Sequence, residues 1–263
     1  MYIVKWDELG GTSTAAFERP VAATIGVFDG VHSGHRRLLD AAAAWDEGPS
    51  VVVTFKQNPV SVLSPERYHG DVMTLEQKLE RFDELGLHSA VIIDFDRSFR
   101  SLSGRGFLET LRTGLPLGYL VVGHDFRCGR DLDTDADAIR DYLRPFGVRV
   151  DIVEALTDNE RLISSTRIRN AVQRGDFLTV HRLMGRAFAL DLRNVPTEQS
   201  DSWCSVARSS LKQVLPQAGH YKGVAHSADG AENIRIRVER ETVSWSCSTH
   251  RNVTRIEFVD AGG

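Results

Sequence analysis

His32 and His35 stand three residues apart at the end of Thr24-Ile25-Gly26-Val27-Phe28-Asp29-Gly30-Val31-His32-Ser33-Gly34-His35. The residues before them are apolar and β-branched, and the stretch over 36–45 has helical spacing, so two imidazoles are expected where a helix begins. The first turn of a helix offers unpaired N–H groups and the positive end of its dipole, which favours anions. Gly26, Gly30 and Gly34 permit close backbone approach and unusual dihedrals. The chemistry that suits this pattern is the handling of a phosphate chain, with both imidazoles donating to its oxygens. Two other readings fit the same residues: a helix that carries two surface histidines, and a pair of metal ligands.

Two further groups have the same character. In Ile163-Ser164-Ser165-Thr166-Arg167-Ile168-Arg169, serine and threonine at a helix start can cap it and leave hydroxyls for a phosphate. The arginines add fixed charge with planar donor forks. An ordinary capped helix with two exposed arginines fits equally well. In Val121-Val122-Gly123-His124-Asp125-Phe126-Arg127-Cys128-Gly129, Asp125 is placed to touch a substrate group and Arg127 to neutralise a phosphate. The alternative is a tight loop in which Asp125 caps Arg127 or a backbone group.

The elements that must position these residues alternate. Short apolar runs over 2–5, 21–27, 50–55, 89–95, 118–123 and 148–153 read as strands. Helical patterns over 36–45, 75–85, 106–112, 136–146, 165–174 and 177–184 fall between or after them, and 59–71 reads as a loop. Uniformly apolar strands alternating with helices predict a parallel sheet covered on both faces, with ligands at the carboxyl ends of the strands. His32 and His35 follow one such strand, Asn58 the next, and His124 and Asp125 a third. After Gly185 the helical alternation stops. Short strands are expected over 218–225, 233–239, 242–247 and 253–259, with a hairpin signal at Asp229-Gly230. The expected organisation is an α/β domain over 1–185 and a small all-β domain over 186–263.

With 263 residues and 41% hydrophobic content, the chain can build a sizeable core. A net charge of −4 argues against a nucleic-acid coat or a polybasic membrane surface. Cys128, Cys204 and Cys247 are far apart in sequence, form no metal spacing and suggest no disulfide framework. The opening residues turn acidic before any apolar core forms, and no apolar run is long enough to span a bilayer. A reduced, cytoplasmic protein acting on small molecules is expected, without nucleic-acid or membrane partners, as a monomer or weak oligomer.

The pattern H-x-G-H after a strand resembles the nucleotidylyltransferase superfamily. The longer G-x-F-D-G-x-H-x-G-H, at Gly26 to His35, resembles the FAD synthetase module of prokaryotic bifunctional riboflavin kinase/FAD synthetases. Ser164-Ser165-Thr166 with Arg169 is similar to that family's S-S-T-x-x-R, and 121–129 to its V-V-G-x-D/N-F-x-F-G, with Cys128 at the second phenylalanine. Thr54-Phe55-Lys56-Gln57-Asn58-Pro59 resembles T-F-x-P-H-P, with Gln57 and Asn58 replacing proline and histidine. The resemblance implies a Rossmann-like nucleotidylyltransferase domain followed by a barrel-like domain. It assigns catalysis to His32, His35, Ser165 and Thr166. ATP falls to Gly26, Phe28, Asp29, Gly34, Ser164 and Arg169, and FMN to Phe55, Asn58, Gly123, Asp125 and Arg127. Mg2+ is implied as a partner of the triphosphate, and no residue is assigned to a metal.

The β domain resembles a riboflavin kinase barrel less closely. Where that family carries G-x-P-T-A-N, this chain has Val195-Pro196-Thr197-Glu198-Gln199, and Glu198 beside a phosphate would be repulsive. Leu215 to Gly223 and Arg255 to Val259 look like framework strands of that barrel. The implied activity is FMN adenylyltransferase, ATP plus FMN giving FAD and pyrophosphate, without riboflavin kinase activity. The alternatives are a bifunctional enzyme, an adenylyltransferase for another phosphorylated acceptor, and a non-catalytic nucleotide- or flavin-binding module.

Overall fold

The computed structural model describes residues 1–10, 17–247 and 252–259. Its contacts divide the chain into two units, Met1–Tyr68 with Lys78–Leu162 and His69–Gln77 with Ile163–Gly263. To residue 123 the chain runs β1 (Tyr2–Lys5), β2 (Val21–Ile25), α1 (Ser33–Ala43), β3 (Ser50–Phe55), α2 (Pro59–Leu63), α3 (Leu75–Glu84), β4 (Ser89–Ile93), α4 (Arg97–Arg100), α5 (Gly104–Gly114) and β5 (Leu117–Gly123). There follow a short pair, β6 (Arg127–Cys128) and β7 (Thr134–Asp135), then α6 (Ala136–Leu143) and β8 (Arg149–Val153). A tight hairpin, β9 (Thr157–Asp158) and β10 (Arg161–Leu162), turns through Asn159 and Glu160, both at positive φ.

In the first unit six strands form one parallel sheet in the order β1-β4-β3-β2-β5-β8. β2 and β4 are buried at every position, Thr24 and Ser89 included, as strands covered on both faces are. One set of alternate side chains, Val21, Ala23, Ile25, Val51, Val53, Leu120 and Val122, packs with Phe107, Leu108 and Leu111 of α5 and Ile139 and Leu143 of α6. α1 lies against β2, β3 and β5. The strand order reverses at β2, with β3 on one side and β5 on the other, so the switch-point crevice opens beyond their carboxyl ends.

Three local expectations shift. The first helix begins at Ser33, three residues ahead of Arg36, because His32 serves as its N-cap. Its preceding strand ends at Ile25, where the chain leaves the sheet for the loop. The segment over 59–71 is not wholly irregular. Asn58 caps α2 through Val60 N–H, and Pro59 fits its first turn.

The second unit holds α7 (Ser165–Arg174), α8 (Phe177–Met184) and seven strands: β11 (Phe188–Asp191), β12 (Glu198–Ser200), β13 (Trp203–Ala207), β14 (Gly219–Ser227), β15 (Gly230–Val238), β16 (Thr242–Ser246) and β17 (Val253–Val259). They form one antiparallel sheet in the order β11-β17-β14-β15-β16-β13-β12. Ile234, Ile236 and Val238 alternate inward with Val243, Trp245, Val206, Ile256 and Phe258. The hairpin turn lies at Ala228-Asp229, one residue before the expected pair, since Ser227 pairs with Gly230. Residues 69–77 join this unit through a buried polar network. The Gln213 side chain donates to Val72 O and Ala189 O, both at 2.9 Å, and accepts from Asp191 N–H at 2.7 Å. Thr74 donates to Asp191 at 2.7 Å. Cys204 and Cys247, distant in sequence, face each other with Sγ atoms 2.9 Å apart, both as free thiols.

Candidate active site

The loop that leaves β2 is held in sparsely populated backbone conformations. Phe28, Gly30 and Val31 take φ of 52°, 83° and 37°. For a β-branched residue such as Val31 this is a strained conformation, costing on the order of 1–3 kcal/mol and held only where its surroundings over-determine it. Phe28 supplies part of that hold. It is 1% exposed, and its ring meets the edges of Phe82 and His35 at centroid distances of 5.8 and 5.3 Å. Gly26 lies under this ring, where an added Cβ would sit 3.1 Å from it.

His32 ends the loop and begins α1. It is 5% exposed, and its Nδ1 accepts from His35 N–H at 3.2 Å. An imidazole nitrogen that accepts carries no proton, so the neutral ring holds its proton on Nε2. The cap therefore fixes the tautomer and turns Nε2–H into a donor. The two imidazoles stack with centroids 3.6 Å apart and 17° between planes. Gly34 makes room for them, since a Cβ there would lie 3.2 Å from two atoms of the His32 ring. Asp29 is buried in the same loop.

Beside the loop a cavity of about 890 Å³ is lined by Gly26, Phe55, Phe95, Phe99, Phe107 and Phe126, with Asp125 and Arg127 also on its wall. Asp125 and Arg127 reach it because Phe126 N–H closes a turn onto Gly123 O, after which β6 pairs with β7. Cys128, at the family's phenylalanine position, lines the cavity too. Burial first, and then the Asp133 carboxylate, push its thiol up to about 12, so it remains protonated. Trp6 stacks on Phe107 and meets the edge of Phe99, which puts an indole behind the cavity wall.

The sequence-derived residues divide accordingly. Gly26, Phe55, Asp125 and Arg127 share the cavity, and Phe28, His32, Gly34 and His35 form one packed cluster. Asn58 is buried and its Oδ1 serves α2 as a cap, while Gly123 forms the turn behind Asp125. Gln57 turns to the surface carboxylate Asp94, which Lys56 also pairs. In the second unit Ser164 caps α7, its Oγ accepting from Arg167 N–H at 3.2 Å. Ser165 and Thr166 stand in the first turn, and Arg169 Nε donates to Gly70 O at 3.0 Å. The edge strand β12 leaves Glu198 and Gln199 exposed, and the Thr197 hydroxyl donates to Val195 O.

One residue was not anticipated. Lys78 is 6% exposed, and its Nζ donates to Val27 O at 3.1 Å and Phe55 O at 3.2 Å and lies 3.5 Å from Thr54 Oγ1. The Thr54 hydroxyl donates to Val27 O, so its oxygen remains an acceptor. The signal was present in the sequence: 78 falls on the stripe of α3 that Leu75, Leu79 and Phe82 make apolar, a position where lysine needs buried acceptors.

The family model described as FAD synthetase matches residues 14–167. The FAD synthetase of Listeria monocytogenes is 29% identical over 170 residues, covering 64% of this chain and 69% of its own length. The bifunctional riboflavin kinase/FMN adenylyltransferase of Bacillus subtilis is 32% identical over 179 residues, covering 62% of this chain and 53% of its own, so the match spans about half that protein. Its counterpart in Pseudomonas fluorescens is 33% identical over 251 residues, covering 91% of this chain and 79% of its own. The crystal structure of a macrolide-efflux protein from Streptococcus pneumoniae shares the fold. It has a TM-score of 0.82 at 21% identity and covers 99% of this chain and 90% of that one.

Proposed function

The chain belongs to the FAD synthetase family, and from that premise we propose that it is an FMN adenylyltransferase, converting ATP and FMN to FAD and pyrophosphate. An oxygen of the FMN phosphate attacks the α-phosphorus of ATP in line. That P–O bond forms as the bond from the α-phosphorus to the bridging oxygen breaks, and pyrophosphate leaves. No protein nucleophile is needed, so positioning and charge neutralisation supply the rate. The observation that carries this reading is the His32 cap, which commits Nδ1 to the backbone and so makes Nε2 the donor nitrogen of the ring, the atom proposed to meet the charge that develops on the phosphate chain. His35, stacked on it, is the second donor.

Gly26, Phe28, Asp29 and Gly34 shape the loop that receives ATP. Ser164, Ser165, Thr166 and Arg169 are assigned to its phosphates on the family motif and on the local cap geometry of α7. The aromatic cavity is the proposed seat of the flavin ring, with Phe55, Asp125 and Arg127 as contacts; its volume suits such a ligand. Asn58 and Gly123 enter as supports behind that wall. No group of three or more His, Cys, Asp or Glu side chains able to hold a metal ion occurs among the described residues. Magnesium commonly binds through few carboxylates plus substrate phosphates, so Mg2+ is proposed to arrive with ATP, and no step is assigned to it. Among the described residues no helix is long and apolar enough to cross a membrane. A cytoplasmic location, small-molecule substrates as the only partners, and a functional division at residue 185 are parts of the same proposal.

The β domain is proposed to lack riboflavin kinase activity, since Glu198 and Gln199 stand exposed on an edge strand where the family holds nucleotide phosphates. One chromatographic assay tests both halves. ATP, Mg2+ and FMN should give FAD, while ATP, Mg2+ and riboflavin should give nothing. Phosphorylated riboflavin in the second tube would overturn the reading of the β domain. Absence of FAD in the first would overturn the transferase.

A further inference from the structure

We propose that Lys78 is a positioning residue of adenylyl transfer, an ammonium clamp that holds the carboxyl ends of β2 and β3 and thereby the strained loop carrying His32 and His35. The inference rests on the function proposed above. An ammonium donates through three protons, and its acceptors among the described residues include Val27 O, Phe55 O and Thr54 Oγ1. Val27 O and Phe55 O belong to the points where the chain leaves two adjacent strands of the sheet, one toward the histidines and the other toward Asn58. Val27 directly precedes Phe28, the first of the three residues at positive φ. A loop held in sparsely populated dihedrals relaxes unless neighbouring groups over-determine it. Val27 O accepts from both Lys78 and the Thr54 hydroxyl, so this carbonyl is fixed from two directions. Lys78 itself is fixed because its stem runs along the buried stripe of α3, beside Phe82, and Phe82 contacts the Phe28 ring.

The test uses Lys78→Met and Thr54→Val, assayed for FAD formation, with ring 1H–15N spectra of the histidines recorded alongside. Lys78→Met should lower kcat at least about tenfold with the KM for FMN within about twofold, because misplacement of about 1 Å costs about 10²-fold in rate. The His32 and His35 ring signals should move. Thr54→Val, which leaves the ammonium and both carbonyls, should lower kcat by a smaller factor. A folded Lys78→Met protein with wild-type kcat, or with unmoved ring signals, overturns the proposal. Should Lys78→Met fail to fold, Thr54→Val decides: reduced kcat at unchanged KM for FMN supports the clamp, and wild-type kcat overturns it. If the wild-type protein makes no FAD, the functional reading fails separately, and the ring signals alone judge the clamp.

Discussion

Gly34→Ala separates the catalytic geometry from the stability of the fold. Gly34 is the second residue of α1, and its dihedrals suit any amino acid, so the substitution acts through its Cβ. That atom would lie 3.2 Å from Cε1 and Nδ1 of His32, a few tenths of an ångström too close. The His32 ring has little room to retreat, since it is buried and stacked on His35. Two stability effects oppose each other. Alanine is favoured over glycine within a helix by about 0.5–1 kcal/mol. Weakening the His32 cap costs about 0.5–1 kcal/mol. The net change is below about 1 kcal/mol, a shift in Tm of a few degrees at most. Catalysis has no such offset. If about 1 Å costs about 10²-fold, a displacement of a few tenths costs about five- to tenfold in kcat, equivalent to about 1 kcal/mol of barrier. FAD formation followed by chromatography, with a thermal melt on the same preparation, reads both quantities. A variant with wild-type kcat refutes the reasoning, as does one whose lost activity follows a collapse in Tm. Adding Gly34→Ala to His32→Ala should cost nothing further, because the two act on one ring.

His32→Ala and His35→Ala should each lower turnover at least about tenfold; only His32→Ala also removes a helix cap and should lower stability by about 0.5–2 kcal/mol in denaturant titration. Gln213→Ala should destabilise the protein by about 1–3 kcal/mol, because Asp191 N–H loses its side-chain acceptor and Val72 O and Ala189 O each lose a donor, while Ala189 O keeps Gln77 Nε2 at 3.1 Å. Asp191 sets an acid limit. Burial raises its carboxyl, but hydrogen bonds from Arg193 and Thr74 outweigh that and hold it below the ordinary aspartate range. A carboxyl depressed in the folded state stabilises above its unfolded value and loses that contribution as pH falls through the folded one. Thermal melts between about pH 5 and pH 2.5 should therefore show Tm falling below about pH 4, and Asp191→Asn should flatten that fall.

Most of the parallel sheet was legible in the sequence because strands covered on both faces must be largely apolar, as Val21–Ile25 and Ser89–Ile93 are apart from the buried Thr24 and Ser89. The start of α1 was misplaced for a definite reason. The usual capping signal is serine, threonine, aspartate or asparagine, and here a histidine ring nitrogen does that work. β11, β12 and β13 were not among the expected strands, although β11 and β13 are as long as β1 and β2. β12 is exposed at all three positions, so its extended form comes from pairing with β13 and not from a pattern of its own. The capping box of Thr74 and Gln77 can be read from their spacing. Their tie to Gln213 cannot, because it joins residues more than a hundred positions apart that share only a buried carbonyl and an amide. Lys78 stands between the two: its place on the apolar stripe of α3 can be read, but its partners cannot, because two of them are backbone carbonyls and main-chain groups have no residue type to read.

The loop from Val27 to His32 gains its form from groups within the protein. Three residues at positive φ within four positions make the loop intrinsically unfavourable. Three separate contacts oppose its relaxation: the Phe28 ring buried against Phe82, the bonds to Val27 O, and the His32 cap on His35 N–H. Each draws on a different source of free energy, namely burial of an aromatic, a charged donor to carbonyls, and a helix terminus. Loss of any one leaves two that still act, so single substitutions in this set should impair geometry before they unfold the protein. The arrangement also bears on rate. The cap orients Nε2–H before substrate arrives, so little reorganisation remains when charge develops on the phosphate chain, and electrostatic stabilisation is most effective under that condition.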